Sequence, residues 1–430
     1  MVARALSPRS PDALSTIVRS EPNLIARGSG RAYGDSAINP SATVETRHLN
    51  RMIRFDPSSG QLVAEAGVQL GDIISAFLPH GWFPLVTPGT RFVSLGGAIA
   101  ADVHGKNHHN DGSFRNCVDW IDLMRQDGTI KRCSLDEDAE LFDYTLGGMG
   151  LTGVIVRAAI RLRPVETAWI RQTTISTDNL ANCMQVIEGA QNATYSVAWI
   201  DCLGQAANLG RALVMLGEHA EVSDLPLDMK AAPLQIKPKK MRSVPVYLPA
   251  LTLNRYSLSA FNSLYYWIGS RKRGDRIVDW KSYFYPLDSI AGWNKIYGRK
   301  GFVQFQCVLP LESSESGLTA LLAEIASAGT GSFLSVLKRF GKQSGAFSFP
   351  MEGYTLALDF PVNAKVFALL DRLDRITIEH GGRFYLAKDS RMRSETLHAS
   401  DERIGDFQTM RESREFTAHF RSAQSERLEL

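Results

Sequence analysis

Residues 88–116 join two properties that an ordinary core does not combine. The first half runs Pro88-Gly89-Thr90-Arg91-Phe92-Val93-Ser94-Leu95-Gly96-Gly97-Ala98-Ile99-Ala100-Ala101, and small side chains dominate it. Backbone free of bulk can lie directly against a large ligand and offer its N–H groups to it. The second half sets His104, Lys106, His108 and His109 within six residues. A glycine-lined wall followed by a knot of bases suits a phosphate-bearing, redox-active ligand. The same run also suits close packing of loops, and the glycines alone leave both readings open. Metal is disfavoured: histidines four apart bind it from one face of a regular helix, and Gly105 and Asn107 interrupt any such helix.

A chain of 430 residues is too long for one ordinary core, so two domains are expected. Charged residues make up 22% and hydrophobic ones 44%, the balance of a soluble globular enzyme. A net charge of +3 is too small to argue for nucleic acid. Five scattered cysteines, with no Cys-x-x-Cys, fit reduced thiols rather than a disulfide framework. The N-terminus has no signal-peptide pattern and no apolar run reaches membrane-spanning length. The expected location is therefore the cytoplasm, with the inner face of a membrane as a peripheral site and the periplasm less favoured.

Two more glycine clusters flank the first. Arg27-Gly28-Ser29-Gly30-Arg31-Ala32-Tyr33-Gly34-Asp35 follows a short strand at 23–26, itself preceded by a helix that starts at Ser10-Pro11. Leu146–Val154 contains Gly148-x-Gly150-x-x-Gly153, a formal dinucleotide fingerprint. That fingerprint requires a helix after it, whereas Val154–Leu162 is β-branched and reads as a strand, which argues against a nicotinamide dehydrogenase. Three glycine clusters among short strands and helices point to one extended ligand crossing several loops.

Beyond about residue 165 strands lengthen and helices become regular, so the boundary is placed there and the class is α+β. Asp178 is expected to cap a helix carrying Leu180, Cys183 and Ile187. Further helices are marked by Leu318–Ile325 and Val366–Leu373. On the strand Gly301–Pro310, Gln304 and Gln306 share one face opposite Val303, Phe305, Cys307 and Leu309. Two amides on one face suit a polar ligand or water equally well. On Tyr354–Phe360, Thr355, Ala357 and Asp359 share the second face. Lys237, Lys239, Lys240 and Arg242 precede an apolar, proline-broken segment, so 229–255 is a candidate contact for an anionic membrane surface, an ordinary solvated loop being at least as well supported.

Taken together, Arg27–Asp35, Gly96-Gly-Ala-Ile-Ala-Ala-Asp-Val-His-Gly-Lys-Asn-His-His109 and Gly382-Arg-Phe-Tyr-Leu-Ala-Lys-Asp-Ser-Arg391 resemble the vanillyl-alcohol-oxidase-like FAD oxidoreductases. The likeness extends through Trp293–Gly298, Phe333–Gly341 and Arg427–Leu430. It implies a PCMH-type FAD-binding domain over 1–165, an aldonolactone-oxidase-like substrate domain over 166–382 on a mixed or antiparallel sheet, and a segment 383–430 returning to the first domain. By the same resemblance, Arg27 to Tyr33, Pro88, Gly89, Thr90, Gly96, Gly97, Ala98, Ala100, Ala101, His104, Asn107, Tyr385-Leu386 and Lys388 hold FAD, and Gly150, Gly153 and Ile155 line its adenine side. Lys388, His104 and Lys106 take catalytic roles, with Lys388 beside the reduced, anionic flavin ring. Gln304, Gln306 and Lys338 bind substrate. Arg31 occupies the place where many relatives tether FAD to a histidine, so non-covalent FAD is implied.

Members resembling this chain most closely oxidise the 2′-hydroxyl of a polyprenylphosphoryl-ribose. A separate NADH-dependent short-chain reductase then completes epimerisation to the arabinose for cell-wall arabinan. Four substrate-side positions depart from the family. Its active-site cysteine, which nitroaromatic inhibitors trap, falls on Ala357; an asparagine falls on Thr355, a serine on Val197 and a tyrosine on Phe284. These departures keep two alternatives in play: an alditol or aldonolactone oxidase acting on a free sugar, and a non-catalytic flavin-binding subunit.

Overall fold

The computed structural model describes residues 3–237, 241–249, 252–272 and 274–430; Lys239 and Lys240 of the basic stretch lie outside them. Two sheets carry the chain. The first is antiparallel and six-stranded: Met52–Asp56, Gln61–Glu65, Val154–Pro164, Val118–Met124 and Ile130–Ser134 in spatial order, with Trp82–Pro84 on the far end of Val154–Pro164. Beside it lies a small parallel sheet of Ala5–Leu6, Thr43–Glu45 and Ile25–Arg27. The second large sheet has eight antiparallel strands: Asp275–Asp279, Trp169–Thr177, Ala212–His219, Tyr195–Ile200, Ser335–Phe340, Gly353–Pro361, Phe302–Pro310 and Arg383–Phe384.

Most local elements form where the sequence puts them. Ser10 caps the helix Pro11–Ser20 by accepting from the Ala13 N–H. Leu70–Phe77 buries Leu70, Ile73 and Ile74, and the 3-10 turn Leu78–His80 that follows it ends at Gly81, which takes φ 79°. Val154–Pro164 is an eleven-residue strand directly after Gly153. Two boundaries differ. The strand expected at 23–26 runs from Ile25 to Arg27. The helix Leu180–Gly189 is capped by Asn179, whose side chain accepts from the Asn182 N–H, and not by Asp178, which instead receives the Tyr266 hydroxyl.

The eight-stranded sheet uses its faces differently. On one, Val303, Phe305, Cys307 and Leu309 join Tyr354, Leu356, Leu358 and Phe360, all buried against the helices Ser314–Ala328 and Ala364–Glu379. Each such side chain contributes about 2 kcal/mol of burial. On the other, antiparallel register sets Gln304 opposite Asp359, Gln306 opposite Ala357 and Lys338 opposite Thr355. That polar face looks toward the first sheet. The C-terminal segment closes back on the N-terminal sheet, where Leu24 donates to the His419 carbonyl and Arg421 to that of Leu24. No helix among the described residues is long and apolar enough to cross a membrane. All five cysteines are free and buried.

Gly353 ties the register of the polar strands to a hairpin end. Its φ is 151°, and a Cβ there would come within 1.9 Å of the Leu309 carbonyl oxygen. Gly353→Ala is expected to lower unfolding stability by roughly 2 kcal/mol, read from the denaturant midpoint.

Candidate active site

The glycine loops converge. A Cβ on Gly28 would lie 1.9 Å from Ser94 Oγ, so the first loop sits directly on the start of the helix Leu95–Ala100. The third loop hangs from the same helix: Gly147 donates to the Ile99 carbonyl and Met149 to that of Ala100. The C-terminal segment completes the ring. Tyr33 donates to the Ala387 carbonyl, and Arg427 holds Asp35 and Asp389 at 2.8 Å each.

Within this ring the N–H groups of Gly28, Ser29, Gly30, Arg31 and Ala32 donate to no other described residue, and the loop is partly or fully exposed. Gly89 opens onto empty space. Gly96, Gly97, Ala100 and Ala101 keep part of their surface open. Unspent N–H donors beside bare backbone fit a pyrophosphate and its attached chain. No histidine or cysteine lies in 27–35 to form a covalent tether.

Several of the expected cofactor contacts also have packing or hydrogen-bonding roles within the protein. Asn107 is fully buried, and its amide donates to the Leu85 carbonyl and to Asp111. Ala98 has no exposed surface because it faces the core beneath its helix. Gly153 and Ile155 are buried, with Gly153 pressed on Leu123 and the Met124 carbonyl. Of that trio only Gly150 reaches the surface. Thr90 uses its hydroxyl on Asp288 and Arg91 its N–H on the same carboxylate, which fixes the Pro88–Thr90 turn.

The bases meet on the polar face of the second sheet. His104 is buried, and Gln306 Nε2 donates to its Nε2 at 3.0 Å. Its Nδ1 lies 3.4 Å from Lys338 Nζ. Burial and the nearby Lys388 cation push Lys338 down to about 8. Burial and the adjacent Lys338 charge bring Lys106 to about 7; its amine donates to the Tyr283 carbonyl and lies over that ring. Burial keeps His104 neutral, well below its ordinary range. Lys388 Nζ lies 4.2 Å from the centre of the Tyr33 ring. Behind this cluster, Phe340, Phe349, Tyr385 and Ala387 form a small apolar packing layer, with the Tyr385 hydroxyl donating to the Ala101 carbonyl. Leu386 is buried beside them.

Asp359 is the site residue that sequence reading passed over. It is buried, takes a hydrogen bond from Gln304, and is the carboxylate that couples to Lys388. Burial raises Asp359 and lowers Lys388, so the pair resists holding full opposite charges. Its alternation with Thr355 and Ala357 was the available signal. The departures divide. Thr355 accepts from Gln306, and Ala357 is partly open on the cleft face. Val197 is buried, and Phe284 sits in an aromatic cluster with Phe83 and Tyr195. Among the described residues no group of three or more His, Cys, Asp or Glu is placed to hold a metal.

Comparison with known proteins agrees with this geometry. Residues 2–134 match the family described as FAD binding domain. The chain is 36% identical to decaprenylphosphoryl-beta-D-ribose oxidase of Mycolicibacterium smegmatis, over all of this chain and 95% of that one. The chain belongs to this family of FAD-dependent oxidoreductases. FAD is its cofactor. The chain is also 33% identical to an uncharacterized protein of Streptomyces coelicolor, over 84% of this chain and all of that one. Cytokinin dehydrogenase 7 of Oryza sativa subsp. japonica is 31% identical over 39% of this chain and 34% of its own length. The chain's α+β fold carries an FAD-binding domain.

Two outcomes follow, one from the clustered bases and one from Ala357. Lys338 carries a lowered folded pKa, so the unfolded chain binds its proton more readily, and stability rises with pH from about 8 toward the ordinary lysine value. Lys338→Met should therefore raise the thermal midpoint most below pH 8, with the gain fading through that window. Nitroaromatic inhibitors should leave the intact mass of the native protein unchanged, whereas Ala357→Cys should acquire an adduct.

Proposed function

We propose that the protein oxidises the 2′-hydroxyl of a polyprenylphosphoryl-ribose to the 2′-ketone, using non-covalently bound FAD. One observation carries the reading: Lys106, Lys338 and Lys388, each only partly buried, act electrostatically on one another in succession around His104 on the polar sheet face, and Lys388 acts on the buried carboxylate of Asp359. Such a cluster carries excess positive charge, which a phosphate-bearing sugar offsets. The similarity to the decaprenylphosphoryl-ribose oxidase supports the same substrate class. In this reading residues 1–165 hold the cofactor, 166–382 the sugar, and 383–430 return to deliver Lys388.

FAD, when bound, supplies the two-electron acceptor that takes the hydride from the carbinol carbon. Lys388 and Asp359 hold one proton between them and accept the second from the hydroxyl as the hydride departs. Gln304 and Gln306 orient the sugar hydroxyls from one strand face. Neutral His104, held by Gln306, keeps Lys338 within the cluster. Lys388 would also offer positive charge to the bound cofactor. The ketone then passes to a separate NADH-dependent reductase.

The purified protein should be yellow, with FAD released by denaturation. Polyprenylphosphoryl-ribose should bleach it anaerobically. Lys388→Met should retain FAD yet lower kcat about 10²- to 10³-fold. Bleaching by free alditols or aldonolactones, with none by the lipid-linked sugar, would reassign the substrate. A flavin that no sugar reduces would make the protein a binding subunit.

A further inference from the structure

The helix Arg255–Ser270 has its amphipathicity reversed. It buries Leu258, Asn262 and Gly269 against the sheet. Its outer face presents Tyr256, Leu264, Trp267 and Ile268, exposed by 85%, 55%, 53% and 46%. Helices of soluble proteins place charge on that face, and an exposed apolar patch of this extent marks an interaction surface. The preceding segment adds Met241, Val246 and Tyr247, all more than half exposed.

Charge identifies the partner. Between residues 229 and 273 the sequence has nine lysines and arginines and no aspartate or glutamate. Among the described ones, Lys237, Arg242, Arg255, Arg271 and Lys272 are exposed. Arg271 lies 3.6 Å over the Trp267 ring, a cation held beside an amphipathic aromatic. Apolar and aromatic side chains flanked in sequence by cations, with Asp178 the carboxylate that takes the Tyr266 hydroxyl, match the boundary between acyl chains and anionic headgroups.

A path leads inward from this face. Phe261 meets Phe333 at 5.7 Å; Phe333 stacks on Tyr297 at 5.4 Å, and Tyr297 on Phe302 at 4.8 Å. Phe302 meets Tyr33, whose ring lies under Lys388. A chain of packed aromatic rings thus links the exposed helix to the bases.

We propose that the helix Arg255–Ser270, with the segment 241–249, is an interfacial docking face for an anionic bilayer. It holds the protein where a lipid-linked sugar enters along the aromatic path. The entry route rests on the substrate reading above; the docking itself does not. It keeps 241–249 from the candidate stretch 229–255, for which a solvated loop was at least as well supported, and extends the face over the following helix.

The test is co-sedimentation of the FAD-loaded protein with vesicles of phosphatidylcholine alone or with about one-third phosphatidylglycerol. Binding is expected to the anionic vesicles, weakening as salt rises. Leu264→Glu/Trp267→Glu should reduce the partition coefficient at least tenfold, and Arg271→Glu/Lys272→Glu should do so mainly at low salt. Both variants should keep their flavin spectrum and the reduction rate with a short-chain phosphoribose substrate. No binding to anionic vesicles at 0.1 M salt would overturn the proposal. So would a dimer in light scattering that Leu264→Glu/Trp267→Glu dissolves, since the face would then join two copies. Vesicle binding without turnover of the lipid-linked sugar would leave docking standing and remove only the substrate assignment.

Discussion

The contact on which the site depends is the placement of Lys388. Its amine lies over the Tyr33 ring, contributed by the first glycine loop, and faces Asp359, contributed by the second sheet. Three distant stretches of chain meet at that one cation. The backbone bond from Tyr33 to Ala387 and the Arg427 clamp on Asp35 and Asp389 hold the junction. A lysine in water would gain nothing from such a position. Here burial weakens its charged state, and that state is what a developing anion can use.

The neighbours extend this logic. Lys106, Lys338 and His104 are each shifted toward neutrality by burial, and each lies close to another base. Such a cluster opposes folding and is tolerated because ligands bearing negative charge stabilise it when bound. The apolar side of the same sheet compensates, with Phe305, Leu356, Leu358 and Phe360 sealed under two helices. One sheet thus separates a stabilising face from a reactive one. At the outer edge the helix Arg255–Ser270 departs from that division, keeping apolar side chains in solvent where a bilayer would cover them.

The sequence alone marked the cofactor half. Glycines in Arg27–Asp35 and Gly96–Ala101 are where backbone must approach backbone or ligand closely, and that need is local, so it is written in local residues. The alternation of Gln304 with Phe305, and of Thr355 with Leu356, determined which strand faces were polar, because the pleat has period two. The strand after Gly153 excluded a dinucleotide helix for the same local reason. His104, Lys338 and Lys388 were named through resemblance, since nothing in their immediate neighbours separates a reactive lysine from a surface one.

Only the tertiary structure decided the rest. Asp359 became part of the site because strand register set it against Gln304 and because the C-terminal segment folded back to bring Lys388 beside it. The Asn107 amide meets Leu85 and Asp111, partners that sequence spacing does not reveal. The sequence by itself determined which residues could bare their backbone and which faces of strands were polar. The folded chain decided which charges are buried together, because burial and electrostatic coupling depend on what arrives from elsewhere in the chain.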